Sequence, residues 1–276
     1  NESNDNNPFK GYTKVFVPYC TGDIFWGNKD KVYSSAYGSV TIYHRGYANL
    51  IAVLQSIWAM QGYGGNVYPG KVVIAGTSGG AYGAIAAFTE VEKRLPKWQY
   101  VNNQRTTLTY LIADSANGIV TDSFLNTAVN ARTPDNSWGV RESETLPDYL
   151  RAAIRQGAVG LPVRIYGELA WRYPKSRFAQ YQNAYDAVQG MFYNIMKDVS
   201  NPLIWTDSQY LLSSVAQWAI LMRIMVSLEA TASNYRFYTA AGTEHTVLID
   251  IPPEAGAGFC SDDFDTEASA ANIPLT

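Results

Sequence analysis

The stretch KVVIAGTSGGAYGAIAAF, from Lys71 to Phe88, predicts a strand, a sharp turn and a helix around one serine. In a nucleophile elbow of this kind, the serine hydroxyl stands on a strained backbone above the edge of a sheet. Small residues are expected two positions to either side of Ser78, because a side chain there would collide with neighbouring backbone. The pattern predicts that Ser78 attacks an ester or amide carbonyl, and that the backbone N–H of Gly79 donates to the oxyanion.

The same turn has alternative interpretations. A glycine-rich connection between a strand and a helix can bind phosphate or serve only packing. The phosphate-binding alternative is weak, because the turn lacks the lysine of the G-x-x-x-x-G-K-[ST] pattern. The hydrolase interpretation requires a base and an acid elsewhere in the chain.

Length, charge and composition narrow the possible functions. With 276 residues, the chain can bury about three quarters of its surface in a single domain. The net charge of −3 offers no basic patch, which argues against nucleic acid as a partner. Residues 216–228 form the longest apolar run, but Arg223 interrupts it, so we expect a buried helix and no membrane span. Low charge and 20 tyrosines are a mix typical of secreted enzymes that act on polymers.

Alternation of strand and helix patterns predicts an α/β fold, with a mainly parallel sheet covered by helices on both faces. Predicted strands are 14–19, 71–75, 108–113, 178–185 and 235–240, and predicted helices are 46–60, 81–93, 148–156, 187–196 and 208–230. We interpret the irregular segment 117–177 as a helical, cap-like excursion within one domain that spans residues 1–276. In open α/β sheets the ligand site lies at the carboxyl ends of the strands.

The base must come from one of only two histidines. In α/β-hydrolases the triad runs in the chain order serine, acid, histidine. His245 follows Ser78 and lies in a loop after a late strand, as this order requires. His44 precedes Ser78 and opens a predicted helix, where packing or capping is its more ordinary role.

Three aspartates compete for the role of the acid that orients the histidine. Asp186 ends a predicted strand and directly precedes a helix, so its carboxylate is expected over the sheet edge, and it is favoured. Asp114 lies only one strand beyond the elbow, which is early for the acid. Asp207 precedes a long helix and is a good N-cap residue.

The two cysteines, Cys20 and Cys260, could form a disulfide or be unrelated thiols. Zinc is not expected, because two histidines and two scattered cysteines show none of the usual ligand spacing. We predict no metal and no cofactor.

Several segments together resemble the pectin acetylesterase and Notum esterases, and they occur in the family's order. They are VFVPYCTGDIFWGN (15–28), HRGYAN (44–49), AGTSGGAYG (75–83), LIADS (111–115) and NAYDAVQ (183–189). The resemblance covers about residues 7 to 245 and implies an α/β-hydrolase fold. It also implies Ser78 as nucleophile, Asp186 as acid and His245 as base, in agreement with the choice of acid made from strand position.

The chain departs from this family at its start. Family members carry a glycine-rich segment with an aromatic residue, upstream of the PYC motif, that supplies part of the oxyanion hole. Only 17 residues precede Pro18, so the resemblance implies that this segment and the family's early strands lie outside this chain. We predict that the second oxyanion donor comes from an N-terminal fragment of the same precursor or from the loop at residues 20–23. That fragment would be an alternative source of a partner for Cys20.

The resemblance implies a secreted serine esterase that removes O-acyl groups, with O-acetyl groups of a polysaccharide such as pectin as the first candidate. Trp26, Tyr82 and Trp138 are candidate aromatics of the substrate pocket, and Asp114 is a candidate substrate-binding residue. Two alternatives are a general carboxylesterase or polyester hydrolase on the same fold, and a non-catalytic carbohydrate-binding relative.

Overall fold

A parallel sheet flanked by helices is the framework of the protein, of which the computed structural model describes residues 5–63, 69–94, 100–101, 104–129, 138–140 and 146–248. The strands are β1 (Lys29–Ser35), β2 (Gly38–His44), β3 (Lys71–Thr77), β4 (Tyr100–Val101), β5 (Gln104–Arg105), β6 (Leu108–Asp114), β7 (Arg177–Asn183) and β8 (Tyr235–Ala240). The α-helices are α1 (Gly46–Tyr63), α2 (Gly79–Arg94), α3 (Asp122–Phe124), α4 (Asp148–Arg155), α5 (Gly157–Arg172), α6 (Ala187–Lys197) and α7 (Ser208–Glu229). The predicted α/β class with a parallel sheet is confirmed.

The four strands of the main sheet, in the order β3-β6-β7-β8, end in register. Thr77 pairs with Asp114, Asp114 with Tyr181, and Tyr181 with Tyr238. Because all four strands run in one direction, the loops that follow them emerge at the same edge of the sheet. The three residues of the predicted triad all lie in such loops, so the topology brings them to one edge.

The main apolar core is built largely by α2 and α5 against the strands. Ile85 and Phe88 of α2, and Leu161 and Ile165 of α5, are fully buried and belong to one cluster. A second cluster lies between α6 and α7. Helices α4 and α5 contribute to this core, and the cap-like interpretation of 117–177 stays a prediction. The single-domain assignment for residues 1–276 stays a prediction.

Most predicted elements are confirmed to within a few residues, but the strand at 14–19 is wrong. This segment has no strand geometry, and its Val15 and Phe16 are exposed. A strand is held by hydrogen bonds to a neighbour, and no described residue forms a ladder with this segment.

The antiparallel hairpin of β1 and β2 was not predicted. Nearly all of its residues are exposed, so the hairpin has no buried face. Helix α5 was also missed, because Pro162 lies inside it and argues against a helix.

Helix α7 is less buried than its apolar sequence suggested. Trp218 and Met222 are buried, whereas Ile220, Ile224 and Leu228 are exposed. By length and composition, α7 is the one helix among the described residues that would suffice to cross a bilayer, and 33% of its apolar stretch is buried in the protein. The expectation of a buried helix is therefore correct for one face only, and the absence of a membrane span stays a prediction.

Candidate active site

The turn between β3 and α2 has the geometry of a nucleophile elbow. Ser78 adopts a φ of 51°, in the left-handed region that non-glycine residues rarely occupy. Its N–H donates to the carbonyl of Asp114 at 2.8 Å, which ties the turn to the neighbouring strand. A Cβ on Gly76 would lie 2.1 Å from the carbonyl oxygen of Gly80, so glycine is required at that position. The same expectation for Gly80 is wrong, because a Cβ there would meet no atom within 4 Å.

The amide that follows the serine is available for an oxyanion. Helix α2 begins at Gly79, and N–H groups in the first turn of a helix have no acceptor within the helix. The positive end of the helix dipole also favours negative charge at this point. The ring of Tyr19 lies against Gly79, with its Cε1 3.0 Å from the position of a Cβ there. The Tyr19 hydroxyl accepts the N–H of Ile24 at 2.7 Å, so the loop at residues 20–23 lies beside the elbow.

A buried carboxylate holds that loop in place. Asp23 is fully buried and accepts hydrogen bonds from the Thr21 hydroxyl and from the N–H groups of Phe25, Gly27 and Gly46. The last of these joins the loop to the start of α1. A buried carboxylate with several donors is well compensated for its loss of water. The loop beside Gly79 is therefore fixed by the chain itself.

Asp186 and His245 form a hydrogen-bonded pair at the same sheet edge. The Nδ1 of His245 lies 2.8 and 3.0 Å from the two carboxylate oxygens of Asp186. The Asp186 side chain is fully buried and that of His245 is 11% exposed. An ionised carboxylate only accepts hydrogen bonds, so Nδ1 carries the proton and the Nε2 of a neutral imidazole is free to accept one.

The Nε2 of His245 is buried and has no hydrogen-bond partner among the described residues. It makes no hydrogen bond to Ser78 in this structure. Contacts between a nucleophile and its base are often long before substrate binds. A buried imidazole nitrogen left to accept a proton is what a general base requires.

Asp186 receives further donors that the sequence did not reveal. The backbone N–H and side-chain amide of Gln189 both donate to its carboxylate at 2.9 Å, and the amide of Gln182 donates at 3.0 Å. The Gln189 amide also donates to the Gln182 side chain at 2.8 Å. Asp186 is thus both the N-cap of α6 and a carboxylate fixed by two glutamines. The NAYDAVQ motif, which includes Gln189, was the available signal.

Asp114 lies inside the site but is not exposed to solvent. Its carboxylate accepts the N–H groups of Val247 and Leu248 at 2.7 and 2.8 Å, and the Ser115 hydroxyl at 3.1 Å. Burial raises the pKa of Asp114, and these N–H groups partly offset that rise. With both oxygens engaged, the carboxylate contacts the protein and not the solvent, and its predicted contact with substrate stays a prediction.

A model of the pectinacetylesterase family matches residues 1–144, which is more than half of the chain. The chain belongs to the pectinacetylesterase family. The matched residues include Ser78, whereas Asp186 and His245 lie beyond them. The Wnt deacylase Notum from Drosophila is a similar solved structure, with 14% sequence identity and a TM-score of 0.49 over 85% of this chain. The chain spans 59% of that Notum chain. No curated protein sequence matches the present chain.

The aromatic residues predicted to line the pocket of this pectinacetylesterase-family chain are engaged in packing. Trp26 is buried, and its indole N–H donates to the carbonyl of Tyr82 at 3.2 Å. The Tyr82 hydroxyl accepts the N–H of Gly118 at 3.1 Å, and burial raises the pKa of Tyr82 to about 12. Trp138 packs against Phe124. Contact of these side chains with substrate stays a prediction.

His44 and Asp207, for which the sequence favoured a structural role, both have structural partners. His44 is buried between the Thr21 carbonyl and the Tyr33 hydroxyl, at 2.9 and 2.8 Å. Asp207 caps α7 by accepting the N–H groups of Gln209 and Tyr210.

The two remaining sequence predictions concern cysteines and metals. Cys20 is exposed and has no disulfide partner among the described residues. Cys260 lies outside them, so the pairing of the two cysteines is not tested. The part of the chain that the structure describes contains no cluster of metal-ligating side chains.

Proposed function

We propose that this chain is a serine esterase that removes O-acyl groups through an acyl-enzyme, with O-acetyl groups of a polysaccharide such as pectin as its first candidate substrate. The observation that carries the proposal is the buried Asp186–His245 hydrogen bond, at the sheet edge where Ser78 occupies a strained elbow. Membership in the pectinacetylesterase family supports the same chemistry.

In the first step, the Ser78 hydroxyl attacks the ester carbonyl while the Nε2 of His245 takes its proton. Asp186 holds the imidazole in the required tautomer and stabilises the imidazolium that forms. The imidazolium then returns the proton to the departing alcohol, which leaves the acyl group on Ser78. In the second step, water attacks the acyl-enzyme, with His245 again as base, and releases the acid.

The tetrahedral oxyanion would be bound by the N–H of Gly79 and by a second donor. Loss of a single oxyanion donor typically lowers turnover by about 10² to 10³, so the source of the second donor matters. The loop at residues 20–23, which the buried Asp23 fixes beside the elbow, is one candidate source. An N-terminal fragment of the same precursor is the other. Intact-mass measurement of active material, followed by assay of the chain alone, distinguishes the two sources.

The experiment that tests the substrate class compares p-nitrophenyl acetate, longer acyl esters and acetylated pectin. We expect release of acetate from acetylated pectin, and a decline of kcat/KM as the acyl chain lengthens. A general carboxylesterase or polyester hydrolase would prefer the small or longer synthetic esters and leave acetylated pectin intact. A carbohydrate-binding relative without catalysis would bind pectin and hydrolyse none of these compounds.

A secreted location is also part of this proposal. Detection of the protein outside the cells that produce it would test this location.

A further inference from the structure

The loop that carries His245 is held through its backbone by two side chains of another element. Three successive N–H groups, those of Thr246, Val247 and Leu248, donate to side chains at the end of β6. Thr246 donates to the Ser115 hydroxyl at 3.1 Å, and the next two donate to one carboxylate oxygen of Asp114. The loop therefore depends on Asp114 and Ser115 for its path immediately after the histidine.

The backbone on both sides of this contact is strained. Ser115 has a φ of 62° and Thr246 a φ of 69°, in the left-handed region that β-branched residues in particular avoid. Such strain persists only where surrounding contacts enforce it, and it concentrates at functional sites. The Ser115 hydroxyl accepts from Thr246 and donates to Asp114, so it links the two strained residues to the carboxylate.

We propose that Asp114 and Ser115 are positioning residues, which form a clamp on residues 246–248 and thereby fix the imidazole of His245 for proton transfer. This inference rests on the proposed function, and it assigns to the LIADS motif a role other than triad acid or substrate ligand. The clamp also links the base to the nucleophile, because the Asp114 carbonyl accepts the N–H of Ser78 at 2.8 Å. One residue thus holds the turn of Ser78 by its backbone and the loop of His245 by its side chain.

The clamp has an electrostatic consequence, because it places a second carboxylate near the base. Asp186 bonds His245 directly, and Asp114 lies close enough to interact with its charge. Of the other titratable groups around the pair, Tyr82 of α2 has a pKa raised to about 12 and is neutral at physiological pH. Glu244 in the loop of His245 directs its carboxylate to the N–H of Thr243. In its ionised form Asp114 favours positive charge on the imidazole, so removing its charge disfavours the imidazolium.

Three variants separate geometry from charge. Asp114→Asn is isosteric: its amide oxygen can accept the loop N–H groups while its NH₂ donates to the Ser115 hydroxyl, so the clamp is kept and the charge is lost. Asp114→Ala removes both. Ser115→Ala removes the bond from Thr246 and the bond from the Ser115 hydroxyl to Asp114, and it leaves the Asp114 carboxylate on Val247 and Leu248. Asp207→Asn is the matched control, since Asp207 also accepts two backbone N–H groups with one carboxylate oxygen but caps α7.

The catalytic measurement is the pH profile of kcat and kcat/KM on p-nitrophenyl acetate. Asp114→Asn should move the acid limb of kcat/KM to lower pH, because the loss of a nearby negative charge disfavours the imidazolium. Asp114→Ala should lower kcat by about 10- to 100-fold with little change in KM, up to the lower end of the roughly 10²- to 10⁴-fold that general base catalysis contributes. Ser115→Ala should lower kcat by a smaller factor and leave the acid limb in place. An Asp114→Ala variant that folds and keeps full kcat overturns the proposal.

A second measurement does not depend on catalysis. Hydrogen–deuterium exchange of the peptide that contains residues 244–248 should accelerate at least 10-fold in Asp114→Ala and remain at the wild-type rate in Asp207→Asn. If wild type hydrolyses no ester but this exchange pattern is found, the proposed function fails while the clamp stands. Unchanged exchange in both variants, with or without activity, refutes the clamp. If Asp114→Ala does not fold, two other measurements test the clamp. These are hydrogen–deuterium exchange at Thr246 in Ser115→Ala and the pH profile of Asp114→Asn.

Discussion

Replacing the buried Glu229 by glutamine should stabilise the protein at neutral pH and have no such effect at pH 4.5. Glu229 is 4% exposed, and its carboxyl oxygens contact the N–H of Tyr166 and the hydroxyl of Tyr235, each at 3.3 Å. The Tyr235 hydroxyl donates to Gln180 at 2.5 Å. Burial raises the pKa of Glu229 from its ordinary value of 4.5 to about 8.

The direction and the size of this effect on the free energy of unfolding follow from proton linkage. In the unfolded chain Glu229 ionises above pH 4.5, whereas the folded protein keeps its proton until about pH 8. The unfolded state then binds fewer protons, so the free energy of unfolding falls as pH rises between these values and is level above them. Each pKa unit corresponds to about 1.4 kcal/mol, so at pH 7 the cost is about 3 kcal/mol relative to pH 4.5. Because the carboxyl is buried, solvent screening does not reduce this figure.

The assay is urea unfolding of wild type and Glu229→Gln at pH 4.5, 6, 7 and 8. The two free energies should diverge by about 3 kcal/mol in favour of the variant between pH 4.5 and 7, and level off above pH 8. Comparison across pH cancels any constant cost of the substitution. Glu168→Gln, which alters a surface carboxylate paired with Arg172, is the control and should show no comparable divergence. Parallel pH curves for wild type and Glu229→Gln would contradict the raised pKa of Glu229 in the folded protein.

Three further predictions concern the elbow and the acid. Asp186→Asn should lower kcat by about 10³- to 10⁴-fold on p-nitrophenyl acetate, because an amide favours the wrong tautomer of the base; undiminished turnover would contradict the assignment of the acid. Gln189→Leu should lower kcat about 10-fold, because it removes a side-chain donor to Asp186. The control variant Gln209→Leu on α7 should leave kcat unchanged. Equal effects of the two variants in steady-state assays would argue against a role of Gln189 in the site. Gly76→Ala should unfold the elbow or destabilise the protein by more than about 3 kcal/mol. Gly80→Ala should change the free energy of unfolding by less than about 1 kcal/mol. Urea titration measures both effects.

The sequence predicted the parallel framework because its signals are local. Strands such as β6 and β8 are short apolar or aromatic runs bounded by polar residues, and α6 and α7 begin after aspartates that cap them. Elements that lack local signals were missed or wrong. The hairpin of β1 and β2 is exposed and has no buried face, and the apolar segment at 14–19 has no pairing strand among the described residues.

The sequence predicted which residues belong to the candidate site, but it did not predict all of the contacts among them. Chain order and strand position favoured Asp186 and His245, and the structure places them in a hydrogen-bonded pair. Nothing in the spacing indicated that Asp114 would hold the loop of His245, because that contact joins residues 133 and 134 positions apart. Contacts at such separations depend on where the strands stop, which pattern alone does not fix.

The most direct test of the proposed esterase is covalent labelling of the nucleophile. Wild-type protein is treated with a fluorophosphonate probe, and the modified residue is located by peptide mass spectrometry beside measurement of acetyl ester hydrolysis. We expect one adduct, on Ser78, with loss of hydrolysis in proportion to labelling, and neither labelling nor turnover in Ser78→Ala. Hydrolysis that persists in a folded Ser78→Ala variant, or an adduct on another serine that removes the activity, would contradict this expectation.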